Sequence, residues 1–215
     1  MADTGYVEVF ALLESRYEEV DGCDFYKEIF PDNENKGELN SDYSKPNAVY
    51  LYHDPVGISS KRTLRRRVML KDTWEDDYME YVEGTETALC SGLSYRGRTN
   101  RLKDAQCMNA LIFDLDAVGQ SELRNLFLRI GKEPGYRTMP QPTFIVSSGT
   151  GLHLYYVLEE PVDLFPNIKL QLKSLKHDLT FRLWDYKGTT QKQTIEYQGI
   201  NQSFRMVGSI NEKYV

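Results

Sequence analysis

The chain has 215 residues, 40% of them apolar and 27% charged, with a formal net charge of −6. That length supplies one sizeable core or two small lobes sharing one, and no run approaches the ~20 apolar residues of a membrane span. The negative balance excludes a protein that coats nucleic acid indiscriminately, although not a local basic groove, and three cysteines without metal-ligand spacing (Cys23, Cys90, Cys107) fit a reducing, cytoplasmic setting.

Residues 5–20 read as an amphipathic helix with Val7, Phe10, Leu13 and Tyr17 on one stripe. Residues 32–46 are polar and turn-rich, a loop, and 48–53 (AVYLYH) alternate as a strand does. Residues 61–83 open with Lys61, Arg62, Arg65, Arg66 and Arg67 and then turn acidic. Such a run is either a solvated face or a patch that grips phosphates. A second basic, glycine-containing loop follows at 93–104 (LSYRGRTNRLKD), with Arg96, Arg98 and Arg101.

The loop leads into NALIFDLDAVG, 109–119, an apolar strand ending in two aspartates one residue apart. Next, 121–131 form a helix with Leu123, Leu126, Phe127 and Ile130 buried, Ser121 as N-cap and Gly131 as stop. Residues 142–148 and 152–160 are the strands of a hairpin turned by Gly149-Thr150-Gly151. A helix from about 168 to 184 places Leu172, Leu175, Leu179 and Leu183 inward. A short strand at 193–198 (QTIEYQ) and a final strand and turn at 202–213 complete the pattern. The order β-α-β-β-α-β is that of a ferredoxin-like or RNA-recognition-motif-like (RRM-like) half.

Asp114 and Asp116 point to the same side of a strand, where like charges repel. A divalent cation between them turns repulsion into coordination, and Mg²⁺ or Mn²⁺ favours such oxygen ligands together with substrate phosphates. The pair alone does not name the chemistry. Haloacid-dehalogenase-type phosphatases and metal-dependent glycosyltransferases also use D-x-D, although Ala117-Val118 stands where the phosphatases usually have Gly-Thr. The second motif is SSGTGLHLYY, 147–156. Its Ser/Gly turn offers unobstructed backbone N–H groups to phosphate oxygens, and His153 on the emerging strand can donate a further hydrogen bond. A buried D-x-D strand, a helix, and a Ser/Gly turn with His on the next hairpin can face one cleft.

With these motifs the sequence resembles the archaeo-eukaryotic primase superfamily, in its primase-polymerase branch of plasmids and mobile elements. IFDLD looks like that family's metal motif, SGTGLHLYYVLEEP like its nucleotide motif, and SFRMVGSINEK like the Arg-x-x-Gly-Thr-x-Asn-x-Lys stretch that closes the catalytic core. SYRGRTNR resembles the basic segment that often precedes the metal strand. The resemblance implies a two-lobed α/β core: an N-terminal α/β lobe over about 1–105 and an RRM-like half over about 106–215. It implies that Asp114 and Asp116 hold Mg²⁺ or Mn²⁺, that Ser148, Gly149 and His153 contact the nucleotide's phosphates, and that Arg205 faces the same cleft. The reaction would be template-directed transfer of dNTP or rNTP on single-stranded DNA, as a primase or polymerase, with Arg96, Arg98 and Arg101 beside the template.

One departure concerns the family's third carboxylate, for which no acid stands near Arg205. Glu196 is the first candidate and Asp185 the second. Such cores are commonly fused to a small helical domain or a helicase, so the resemblance implies an excised core or a short member. The alternatives are a non-catalytic nucleic-acid-binding replication module and a D-x-D metal-dependent phosphatase. His53, His177, Trp74 and Trp184 carry no motif and are assigned to structure.

Overall fold

The computed structural model describes residues 4–30, 36–53, 64–131 and 138–210. Five helices and seven strands lie among them: α1 (Thr4–Glu14), α2 (Gly22–Ile29), β1 (Asn47–His53), β2 (Leu64–Val68), α3 (Trp74–Tyr81), β3 (Ala88–Tyr95), β4 (Ala105–Leu115), α4 (Gln120–Phe127), β5 (Phe144–Ser147), β6 (Leu152–Asp163), α5 (Pro166–Leu183) and β7 (Phe204–Arg205). The strands form one antiparallel sheet in the order β2-β1-β3-β4-β6-β5, with β7 paired to β3.

Helices cover both faces of this sheet, so its central strand is apolar on both sides. On one face, Val9 and Leu13 of α1, Leu123 and Leu126 of α4 and Leu183 of α5 pack on Leu111, Phe113, Leu115 and Leu154. On the other, Phe25 and Tyr26 of α2 and Trp74 and Tyr78 of α3 pack on Tyr50, Ile112, Tyr155 and Phe204. Trp74 meets Tyr26, Tyr50 and Tyr78 at ring separations of 5.7, 5.8 and 5.6 Å, tilted edge to face. Several of the fifteen tyrosines are therefore core residues.

The sheet forks. β4 pairs with β6 from Cys107 to Leu115 but with β3 only from Ala105 to Met108. The edge of β3 that β4 leaves is taken by β7, Cys90 opposite Phe204 and Leu89 opposite Arg205. Gly92 stands at the crotch: a Cβ there would lie 2.2 Å from the Ala110 carbonyl oxygen, so only glycine lets the backbones approach this closely.

Several expectations need correction. The first helix ends at Glu14, and it buries Val9 and Leu13 while Val7 and Tyr17 are exposed; Tyr17 lies past the helix, its ring edge against Phe127 at 5.9 Å. The N-cap of α4 is Gly119, whose N–H donates to the Glu122 carboxylate (3.2 Å), as does the Ser121 hydroxyl (2.9 Å). On α5 Leu175 is 47% exposed while Lys176 and Thr180 are buried. Residues 193–198 form no strand; side-chain contacts hold the segment instead, Glu196 on Lys192 (2.8 Å) and Tyr197 stacked on His177 with ring centroids 4.0 Å apart. The β-α-β-β-α-β order is present as β4-α4-β5-β6-α5-β7, with β7 hydrogen-bonded to β3. Lys61, Arg62, part of the 32–46 loop and the last residues of the 202–213 segment lie outside the described residues. Among those described, no helix is long and apolar enough to cross a membrane.

Candidate active site

The two sequence motifs meet backbone to backbone. Beyond Leu115 the chain turns away at Ala117, whose φ of 51° is unusual for a side chain with a Cβ. Val118 N–H donates to Thr150 O (2.9 Å), and Ser148 N–H closes the hairpin onto Gly151 O (3.0 Å). A Cβ on Gly151 would lie 2.4 Å from Leu115 O and 3.2 Å from Asp116 Cα. The Ser/Gly turn is thus clamped directly onto the aspartate segment, which explains a glycine at that position.

His153 is the register partner of Asp114 across β4 and β6. Its Nε2 lies 3.5 Å from Asp114 Oδ1, and its ring packs on Phe204 with centroids 5.1 Å apart. Asp114 Oδ1, His153 Nδ1 and Ser147 Oγ are buried with no hydrogen-bond partner among the described residues. Burial, then the Asp116 and Glu196 charges, raise Asp114 to about 7, against the pull of Lys192 and Lys176. Burial lowers His153 to about 4, with Arg205 adding to the effect and Asp116 opposing it. His153 is therefore neutral at pH 7, and its approach to Asp114 is a contact rather than an ion pair.

Two lysines complete the cluster, and neither lies in a sequence motif. Lys192 Nζ stands 2.7 Å from Asp116 and 2.8 Å from Glu196, and these two bonds raise its pKa. Lys176 is 2% exposed, donates from Nζ to Gly199 O (3.1 Å) and sits 5.4 Å over the Phe204 ring. Its burial lowers it to about 8, against the pull of Asp114. Lys176 was legible in principle: it lies four residues after Leu172 and seven before Leu183, on the helix's buried stripe. Lys192 follows a turn and carries no local signal.

Of the predicted residues, the fold brings Asp114, Asp116, His153 and Glu196 together, with Ser148 and Gly149 in the adjoining turn and Gly149 at φ 110°. Arg205 is near enough to act on His153, and its Nη1 donates to Glu86 O (2.9 Å) and Ile210 O (2.7 Å). Asp185 sits instead in the turn after α5, its carbonyl accepting from Gly188 and Thr189 N–H, beside a pocket with Phe181, Trp184 and Tyr186. Arg96, Arg98 and Arg101 precede the start of β4, and Asp114 stands next to the last residue at its other end. At ~3.3 Å per residue the strand separates the two by roughly 30 Å. Arg101 there pairs with Asp104 (2.8 Å), and Arg66 Nε donates to Asn100 (2.8 Å).

Among the described residues no group of three or more His, Cys, Asp or Glu side chains is arranged to hold a metal ion. The oxygen-only set of Asp114 and Asp116, with one buried oxygen lacking a partner, nevertheless suits a hard cation.

The raised pKa of Asp114 has a measurable sign. An acid titrating near 7 in the fold and near its ordinary value when unfolded keeps its proton longer in the native state. Stability from this group is therefore full at low pH and is lost as pH rises toward 7 and beyond. Asp114→Asn removes that slope. In EDTA its melting temperature should gain on the wild type as pH rises from 4 to 8, by the equivalent of on the order of 2–4 kcal/mol. A gap that does not change with pH refutes the assignment.

No family model matches the chain, and no curated protein does. Among solved structures, the AEP domain of the primase-polymerase of cyanophage S-2L is similar, with a TM-score of 0.48 and 14% identity over 80% of this chain and 78% of that one.

Proposed function

We propose that the chain is a primase-polymerase core of the archaeo-eukaryotic type, with an RRM-like half over about 106–215 carrying the site. Its activity is template-directed nucleotidyl transfer from dNTP or rNTP on single-stranded DNA. The observation that carries this reading is the pairing of Asp114 with His153 across adjacent strands, under a Ser/Gly turn clamped onto Asp116.

Asp114 and Asp116 would hold Mg²⁺ or Mn²⁺, with Glu196 the nearest further carboxylate. The metal, when bound, neutralises phosphate charge and lowers the pKa of an attacking hydroxyl. The chain's own groups do the rest. The neutral His153 ring carries one N–H to offer a phosphate oxygen, and packing on Phe204 fixes its plane. Ser148 and the backbone N–H groups of the turn cradle the triphosphate tail. Arg205, held by two carbonyls and near His153, and Lys176, over the Phe204 ring and near Asp114, supply positive charge. A primer 3′-OH attacks the α-phosphorus and gives up its proton to water. The new P–O bond forms as the α–β P–O bond breaks, and pyrophosphate leaves.

The test is a gel assay with labelled dNTPs or rNTPs, a single-stranded template with and without primer, and Mg²⁺ or Mn²⁺. Template-dependent product that EDTA removes is the expected result, and product without primer would make the protein a primase. Phosphate release without template would support the phosphatase instead.

A second reading is a nucleic-acid-binding module without turnover. It is favoured by the ammonium of Lys192 lying between Asp116 and Glu196. Calorimetric titration of dNTP with Mn²⁺ separates the two: metal-dependent nucleotide binding supports the enzyme, and DNA binding without nucleotide binding supports the module.

A further inference from the structure

We infer that Lys192 is the resident cation of the metal-free site: its ammonium holds Asp116 and Glu196 together until a divalent cation arrives with a nucleoside triphosphate, and it then turns to the phosphates. This rests on the nucleotidyl-transfer reading of the same cleft.

The geometry places one ammonium within 2.8 Å of two carboxylates that are distant in sequence, Asp116 at the end of the β4 segment and Glu196 beyond α5. Both carboxylates stand near Asp114, and their charges add to the cost of ionising it. An internal cation offsets part of that repulsion. Lys192 does so incompletely, because Asp114 Oδ1 remains buried and has no hydrogen-bond partner among the described residues. The site thus retains one carboxylate that the ammonium does not satisfy.

The backbone of Lys192 is anchored, while its side chain is held only through the ammonium. Gln191 N–H donates to Ala117 O (2.9 Å), Lys192 N–H to Thr190 Oγ1 (3.2 Å), and the Thr190 hydroxyl to Asp116 O. These bonds lock the lysine's backbone to the aspartate segment. Its side chain is 43% exposed, so the four-carbon arm can swing without moving the main chain. A lysine ammonium is a compact point charge with a flexible reach, suited to a phosphate oxygen as well as to a carboxylate. A divalent cation and this ammonium cannot both occupy the space between Asp116 and Glu196, so the two compete.

Competition makes opposite predictions for metal and for nucleotide. Mn²⁺ binding without nucleotide is measured by calorimetry on the full chain, for the wild type, Lys192→Met, Lys192→Gln and Asp116→Asn. A non-hydrolysable dNTP analogue is then titrated at saturating Mn²⁺. The expected result is about fivefold to tenfold tighter Mn²⁺ binding in both lysine variants, with analogue binding weakened about tenfold. Unchanged or weaker Mn²⁺ binding in both lysine variants, with Asp116→Asn still impairing it, overturns this inference alone and leaves the metal site standing. Mn²⁺ binding that is absent throughout, or indifferent to Asp116→Asn, overturns the metal site and this inference together. Thermal melts of each variant show that the comparison is between folded proteins.

Discussion

Replacing Asp114 with asparagine should reduce template-directed synthesis on the order of 10³-fold or more, since even the outer hydrogen-bond partners of metal ligands are worth ~10–100-fold. The change keeps the side chain's size and removes its charge from a position where burial already opposes that charge. It also leaves the contact with His153 sterically intact, so the loss reports charge rather than shape. The fold should survive, because the variant is expected to melt no lower than the wild type above neutral pH. Activity in the gel assay and the melting curve of the same preparation are read together. Retained synthesis in a folded D114N protein removes the aspartate from the chemistry, and with it the metal site.

The second large effect belongs to a residue with no functional group. Gly151→Ala introduces a Cβ whose ideal position is 2.4 Å from Leu115 O and 3.2 Å from Asp116 Cα, both main-chain atoms. Neither can rotate aside, so the turn must lift away from the aspartate segment. Overpacking of this kind costs ~1–3 kcal/mol. A displacement of about 1 Å between groups that must act on one substrate costs roughly 10²-fold in rate. Gly37→Ala is the control: its φ of 91° makes alanine strained, yet nothing lies within 4 Å of the new Cβ. It should lose ~1–2 kcal/mol of stability with synthesis unchanged. Equal activity in the two variants would show that the close approach at Gly151 does not position Asp116.

The parts of the fold that were legible are those where burial speaks through composition. Leu111, Ile112 and Phe113 are apolar in succession because helices cover both faces of β4, and the strand was recognisable for that reason. Asp114, Asp116 and His153 stood out because they interrupt strands otherwise written in apolar residues. Other features depended on neighbours that a linear sequence does not announce. The leucine spacing points to Leu175 on the buried stripe of α5, whereas the stripe runs through Lys176, whose charge is accommodated by the Gly199 carbonyl and the Phe204 ring. The 193–198 segment has a strand-like composition but pairs with none of the described strands, and contacts of Glu196 with Lys192 and of Tyr197 with His177 hold it instead. Arg96, Arg98 and Arg101 are close to Asp114 along the chain and far from it in space, since an extended strand carries the two apart.

The fork in the sheet has a mechanical meaning. Asp114 and His153 are held by the long pairing of β4 with β6, and Asp116 stands one residue past the end of β4. Phe204 and Arg205 come from a two-residue strand that is anchored by what surrounds it: Met206 N–H on Ala88 O (2.8 Å), Ile210 N–H on Thr85 O (2.7 Å) and Arg205 on the Glu86 and Ile210 carbonyls. The side chains that meet around Asp114 thus hang from two separately fastened supports, so a change that loosens the β7 junction should disturb His153 through Phe204 and leave the Asp114 backbone in register.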